Sequence, residues 1–96
     1  MINIKGVNVY PVGIETVVRR FAEVAEFRSI VSAEHAMRSL RLEIELGPQA
    51  GDCAAIAARV AYQLREALGL TVAVNVVPGG TLPRFEMKAS RFVVEG

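Results

Sequence analysis

The sequence predicts an α+β fold, and three observations carry that prediction. Leu40, Leu42, Ile44 and Leu46 alternate strictly with Arg41, Glu43 and Glu45, which is the period of a half-buried strand. Ile56, Val60 and Leu64, with Ala57, Ala61, Ala67 and Leu68, recur along one helix face. A β-branched run at 70–77 then follows Gly69, so strand, helix and strand succeed one another.

The elements follow in chain order. Ile2, Ile4, Val7 and Val9 flank Lys5-Gly6, as expected of two short strands turning at a glycine. Pro11 ends that pair and suits a first helical turn, after which Ile14, Val17, Val18 and Phe21 repeat at i, i+3, i+4 and i+7. A first helix is predicted over 11–22, with Arg19 and Arg20 off its apolar stripe. Residues 27–32 form a short β-rich run, and the polar group 32–38 is read as the turn into the alternating strand at 40–46. Gly47-Pro48-Gln49-Ala50-Gly51 breaks that strand, Asp52 is placed to cap the second helix, and Gly69 to close it. The strand at 70–77 ends at Pro78-Gly79-Gly80, and short strands are expected at 85–87 and 92–94. Two helices on one side of a small, mostly antiparallel sheet, with short strands at both ends, is a ferredoxin-like arrangement.

Composition narrows the functional classes. A chain of 96 residues has room for one core and no second; at this size roughly 60–70 % of the unfolded surface is buried. We therefore expect a single domain over 1–96. Hydrophobic residues make up 52 % and charged residues 22 %, a globular balance. Eleven basic against ten acidic side chains leave a formal charge of +1, which argues against a nucleic-acid or anionic-membrane partner. No charged leader precedes an apolar run, and no apolar stretch approaches the ~20 residues of a spanning helix. A cytoplasmic location is expected.

Isolated side chains offer little chemistry. Cys53 has no second cysteine to pair with and is expected to be a small packed side chain of the second helix. His35, in the predicted turn, has no nucleophile at recognisable spacing. The carboxylates lack the clustering of a metal site, so no protein-held metal is expected. Glu43 and Glu45 are expected to face water. Gly79-Gly80 follows a strand and does not open a helix, so its loop reads as a presentation turn and not as a phosphate cradle.

One long segment reads differently. Pro78-Gly79-Gly80-Thr81-Leu82-Pro83-Arg84-Phe85-Glu86-Met87-Lys88-Ala89-Ser90-Arg91 resembles the C-terminal signature of phenylacetate–coenzyme A ligases and their adenylate-forming relatives. At the other end, Met1-Ile2-Asn3-Ile4-Lys5-Gly6-Val7-Asn8-Val9-Tyr10-Pro11, followed by Ile14-Glu15, is similar to the segment after the interdomain hinge of that family. The likeness spans nearly the whole chain. It implies a mobile C-terminal lid domain whose large partner domain carries the ATP loop and the acid pocket, with the hinge just upstream of Met1.

What the resemblance implies can be assigned residue by residue. Family members use ATP, with Mg2+, to convert a carboxylic acid to an acyl-adenylate, then pass the acyl group to coenzyme A; in the aryl-acetate branch the acid is phenylacetate. Lys88 corresponds to the adenylation lysine. Gly6, with Lys5 and Val7, corresponds to the segment lining the pantetheine channel in the thioester step, and Arg84 and Arg91 match basic positions that contact coenzyme A or order the loop. Lys5 stands where arginine is common, and Met87 where a small residue is usual. Glu15 also matches, and a structural role at the positive end of the first helix is expected for it. The partners implied are the large ligase domain, coenzyme A, ATP or AMP and an aryl acid, and a homodimer is left open. Two alternatives stand beside this: a ligand-binding or regulatory module derived from the domain, and the same domain in a ligase for another aryl acid or in a deazaflavin-adenylating relative.

Overall fold

The structure, a computed structural model, describes residues 2–34, 37–48, 51–80, 82 and 92–95. The elements run β1 (Ile2–Ile4), β2 (Val7–Val9), α1 (Pro11–Val18), β3 (Val24–Glu34), β4 (Met37–Leu46), α2 (Cys53–Leu68), β5 (Ala73–Val77) and β6 (Phe92–Glu95). Among the described residues they form a two-stranded sheet, β1-β2, and a four-stranded sheet in the order β5-β4-β3-β6. The fold is α+β, as predicted. Most paired residues are antiparallel, in β1–β2 and the long β3–β4 ladder, while β5 and β6 join β4 and β3 in parallel.

Alternation and helical period together build the core. Leu40, Leu42 and Ile44 of β4 share a buried cluster with Ile14, Val17 and Val18 of α1 and Ile56, Val60 and Leu64 of α2. Both helices therefore cover one face of the sheet. Cross-strand partners share a face, so Phe27 and Val31, opposite Ile44 and Leu40, also belong to that face and to that cluster. The opposite face carries Arg28, Arg41, Glu43 and Glu45. Ile30 lies there too, buried yet outside the helix-side cluster.

Element ends depart from the sequence expectation in three places. Helix α1 stops at Val18 and not at residue 22, because Arg20 N–H and Phe21 N–H bond three residues back, to Val17 and Val18, in tighter turns. Phe21 remains buried. Residues 32–34 and 37–38, read as part of a turn, belong to the ladder, which runs on to pair Glu34 with Met37, since backbone pairing outweighs a polar composition. Strand β5 begins at Ala73, later than residue 70. The strand expected at 85–87 lies outside the described residues, whereas that at 92–94 is found as β6.

Helix α2 ends as its sequence directs. The Asp52 carboxylate accepts the Ala55 N–H at 3.1 Å, and Gly69 takes φ +71 while donating its N–H to the Arg65 carbonyl. Cys53, expected to be packed, is exposed. It occupies the first helical position, and the buried stripe starts one turn later at Ile56. Glu15 lies in the second turn of α1, too far along for the dipole role expected of it. It is half-buried, 3.9 Å from Arg19 Nε.

Candidate functional site

The N-terminal hairpin is the first part of the site. Register pairs Ile4 with Val7, leaving Lys5-Gly6 as a two-residue connection. Both residues have positive φ, +51 and +84, as a hairpin turn matched to strand twist requires. Gly6 adopts this freely, and a Cβ built there would meet nothing within 4 Å in this chain. Its need for glycine within the domain is conformational. Lys5 is the one described non-glycine residue with positive φ, a conformation unfavourable for a long L side chain. Asn3 steadies the turn, its Oδ1 accepting the Gly6 N–H at 3.2 Å and its Nδ2 donating to Asn8 Oδ1 at 3.2 Å. Ile4 and Val9 root the hairpin in the core, while Lys5 and Gly6 stay exposed at its tip beyond half-buried Val7.

The second part is the approach to the lysine segment. Strand β5 pairs in parallel with β4, and Val77 lies opposite Glu45. The register thus sets Glu45 beside the point where the chain leaves the sheet. Glu45 is only 1 % exposed. Its Oε1 accepts the Gly80 N–H at 2.9 Å and its Oε2 the Leu82 N–H at 2.6 Å. The expectation that Glu43 and Glu45 face water is corrected for Glu45, since burying a carboxylate is tolerated when both its oxygens are bonded; Glu43 is half-buried, its Oε1 accepting from Arg28 Nη2 at 2.6 Å and Nε at 3.0 Å. Glu26, buried across the ladder from Glu45, accepts the Phe27 N–H.

Of the site residues read from the sequence, Lys5, Gly6 and Val7 come together at the hairpin. Lys88, Arg84 and Arg91 lie outside the described residues, as does His35. Sequence reasoning missed Glu45. The signal that would have found it is the register, since a parallel β4-α2-β5 crossover brings the end of β4 alongside the end of β5.

Elsewhere, a groove of about 470 Å³ between the end of α1 and α2 is lined by Arg20, Phe21, Ala58, Arg59, Tyr62 and Gln63. Arg59 stacks over the Phe21 ring at 5.4 Å and reaches Glu23 at 3.4 Å. None of the described site residues lines it. Among the described residues no group of three His, Cys, Asp or Glu side chains is placed to hold a metal ion, and no helix is long and apolar enough to cross a membrane.

A family model described as the AMP-binding enzyme C-terminal domain matches residues 6–95. No curated protein matches. A solved domain of phenylacetate-coenzyme A ligase from Bacteroides vulgatus ATCC 8482 is 28 % identical with a TM-score of 0.83, covering 98 % of this chain and 91 % of that one. 2-Hydroxyisobutyryl-CoA ligase, solved with 2-HIB-AMP and CoA in the thioesterification state, is 26 % identical with a TM-score of 0.84 over 99 % of this chain. The same ligase in the postadenylation state with 2-HIB-AMP gives 0.82. The chain spans 21 % of that ligase's length.

Proposed function

This chain belongs to the AMP-binding enzyme C-terminal domain family, and from that premise we propose that it is the mobile small domain of a phenylacetate–coenzyme A ligase. The observation that carries the reading is the 28 % identity to the phenylacetate-coenzyme A ligase domain over 98 % of the chain. In this reading the complete enzyme activates phenylacetate with ATP and transfers the acyl group to coenzyme A, while the 96-residue unit serves two half-reactions in turn.

For adenylation, the Lys88 ammonium bridges the carboxylate and the α-phosphate, where negative charge gathers as pyrophosphate leaves. A cation held in a dehydrated site stabilises that charge better than water does. For thioester formation, the Lys5-Gly6-Val7 hairpin lines the pantetheine channel. Its tip projects from the core, and Lys5 holds a strained backbone angle, a cost that persists where a function selects it. Arg84 and Arg91 are assigned to the coenzyme A phosphates or to ordering the lysine loop. The described residues offer no ligand set for the Mg2+ that accompanies ATP, and no step assigned to this chain runs through it. Alternation between the two faces is a rigid-body rotation. It fits the nearly equal likeness of this chain to one ligase in two catalytic states.

The test is Lys88→Ala in the chain joined to its large ligase domain. Acid-dependent ATP–pyrophosphate exchange is expected to fall on the order of 10²–10³-fold, while supplied acyl-adenylate is still converted to thioester at the parent rate. Equal loss of both steps refutes the division of roles. A second reading, the same domain in a ligase for another acid, is favoured by the similar match to 2-hydroxyisobutyryl-CoA ligase. Comparing phenylacetate with short hydroxy acids in the joined enzyme decides between them.

A further inference from the structure

The contact between Glu45 and the Gly80–Leu82 turn is more specific than a packing contact. Two oxygens of one carboxylate take two backbone N–H groups two residues apart, which fixes both the position and the direction of the chain there. Gly80 holds φ +85, a conformation glycine adopts at little cost, so turn and anchor are matched. The anchor itself is rigid. Glu45 sits in the β3–β4 ladder and is flanked on its other side by β5. Leu82 is buried, yet outside the helix-side cluster, in keeping with a turn held against the helix-free face.

Geometry gives this anchor leverage on chemistry. Lys88 follows Leu82 by six positions, and six residues span at most about 20 Å. Lys88 also precedes Phe92 of β6 by four positions, so the segment that carries it is tied at two ends, and the Glu45-held turn sets one of them. Displacing that end by an ångström shifts the set of positions the ammonium can reach, and misplacement of that size costs up to about 10²-fold in a reaction that depends on alignment.

We propose that Glu45 is a positioning residue for adenylation, its carboxylate fixing the pivot from which the Lys88 segment departs. The proposal rests on the assignment of adenylation to Lys88. Glu45 touches backbone in the structure and acts through the turn.

The first measurement uses the 96-residue chain. Amide hydrogen exchange by NMR is compared between the parent and Glu45→Gln, which keeps one acceptor oxygen and turns an NH2 group toward the other N–H. Exchange at Gly80 and Leu82 is expected to rise at least tenfold, on the order of losing one charge-assisted bond, with Leu42 and Ile44 in the ladder unchanged. Unchanged exchange at the turn overturns the proposal. The second measurement uses the chain joined to its large domain. Glu45→Gln is expected to lower kcat for adenylate formation roughly 10- to 100-fold, with KM for ATP and acid unchanged and supplied acyl-adenylate converted normally. Equal loss in both half-reactions, or loss in neither, overturns it. If Glu45→Gln does not fold, Glu45→Asp, which keeps the charge one methylene short, carries both readouts with an intermediate effect. Lys88→Ala run in parallel separates the two ideas: intact adenylation in that variant overturns the lysine assignment and this proposal together, whereas lost adenylation there with a normal Glu45→Gln overturns this proposal alone.

Discussion

Lys5 and Glu45 are both charged residues held where their type is disfavoured, and each has an identifiable compensation. Lys5 sits at φ +51, where asparagine or glycine would be at ease. Replacing it with Asn is expected to raise stability by roughly 1 kcal/mol, measured as the urea midpoint of the isolated chain. In the joined enzyme the same variant should slow thioester formation and leave adenylation unchanged. Gain of stability with loss of one half-reaction is what a strained functional residue gives; no change in either measurement argues against strain. Glu45 was illegible in the sequence for a physical reason. Alternation along 40–46 assigns it to the face away from the helices, and that face is ordinarily solvated. Only the β4–β5 register, a property of the folded sheet, turns an outward acid into a buried one. Glu43, two residues back, received the same local reading and keeps partial contact with water through its pair with Arg28.

At the scale of the element, helix α2 is where local sequence and tertiary packing agree most fully. The Asp52 cap, the Gly69 stop and the Ile56, Val60 and Leu64 centre of the apolar stripe were all readable and are found, while Ala67, read into the stripe, is exposed. Leu64 is fully buried beneath it, and truncation to Ala is expected to cost 2–5 kcal/mol by the usual range of about that size for leucine cores. Asp52→Ala removes the bond to Ala55 N–H and should cost about 1 kcal/mol. Chemical denaturation of the two variants checks both values, and a larger loss for the cap than for the core would contradict this account of α2. The hairpin β3–β4 was legible in the middle of its first strand, at 27–32, and along most of its second, at 40–46, but not between them. The stretch 32–38 contains no glycine, proline or asparagine to mark a tight connection, and its polar residues carry no period. Cross-strand pairing, which involves both strands at once, sets its length.

For the whole molecule, division of labour between faces is the governing feature. The helices occupy one face of the sheet, the Glu45-held turn the other, and the hairpin that bears Lys5 packs beside β4. The family was legible because the segments that resemble it lie at the two chain ends, each readable as one local run of residues. The position of the anchor was not, because it arises from elements far apart in sequence. Since the chain spans only 21 % of the hydroxyisobutyryl ligase, the isolated chain is expected to unfold cooperatively on heating yet to show no ATP–pyrophosphate exchange with phenylacetate. Exchange by the isolated chain would contradict the reading of a lid that works only against a larger domain.

Strand β4 answers to two masters through its even and odd positions. Leu42 and Ile44 fill the interior, and Glu45 holds the exit turn. An insertion or deletion here would reverse the inside-outside order and release the turn in the same event. Neither damage could be repaired separately, so a change of length within β4 is expected to cost the interior and the exit turn at once.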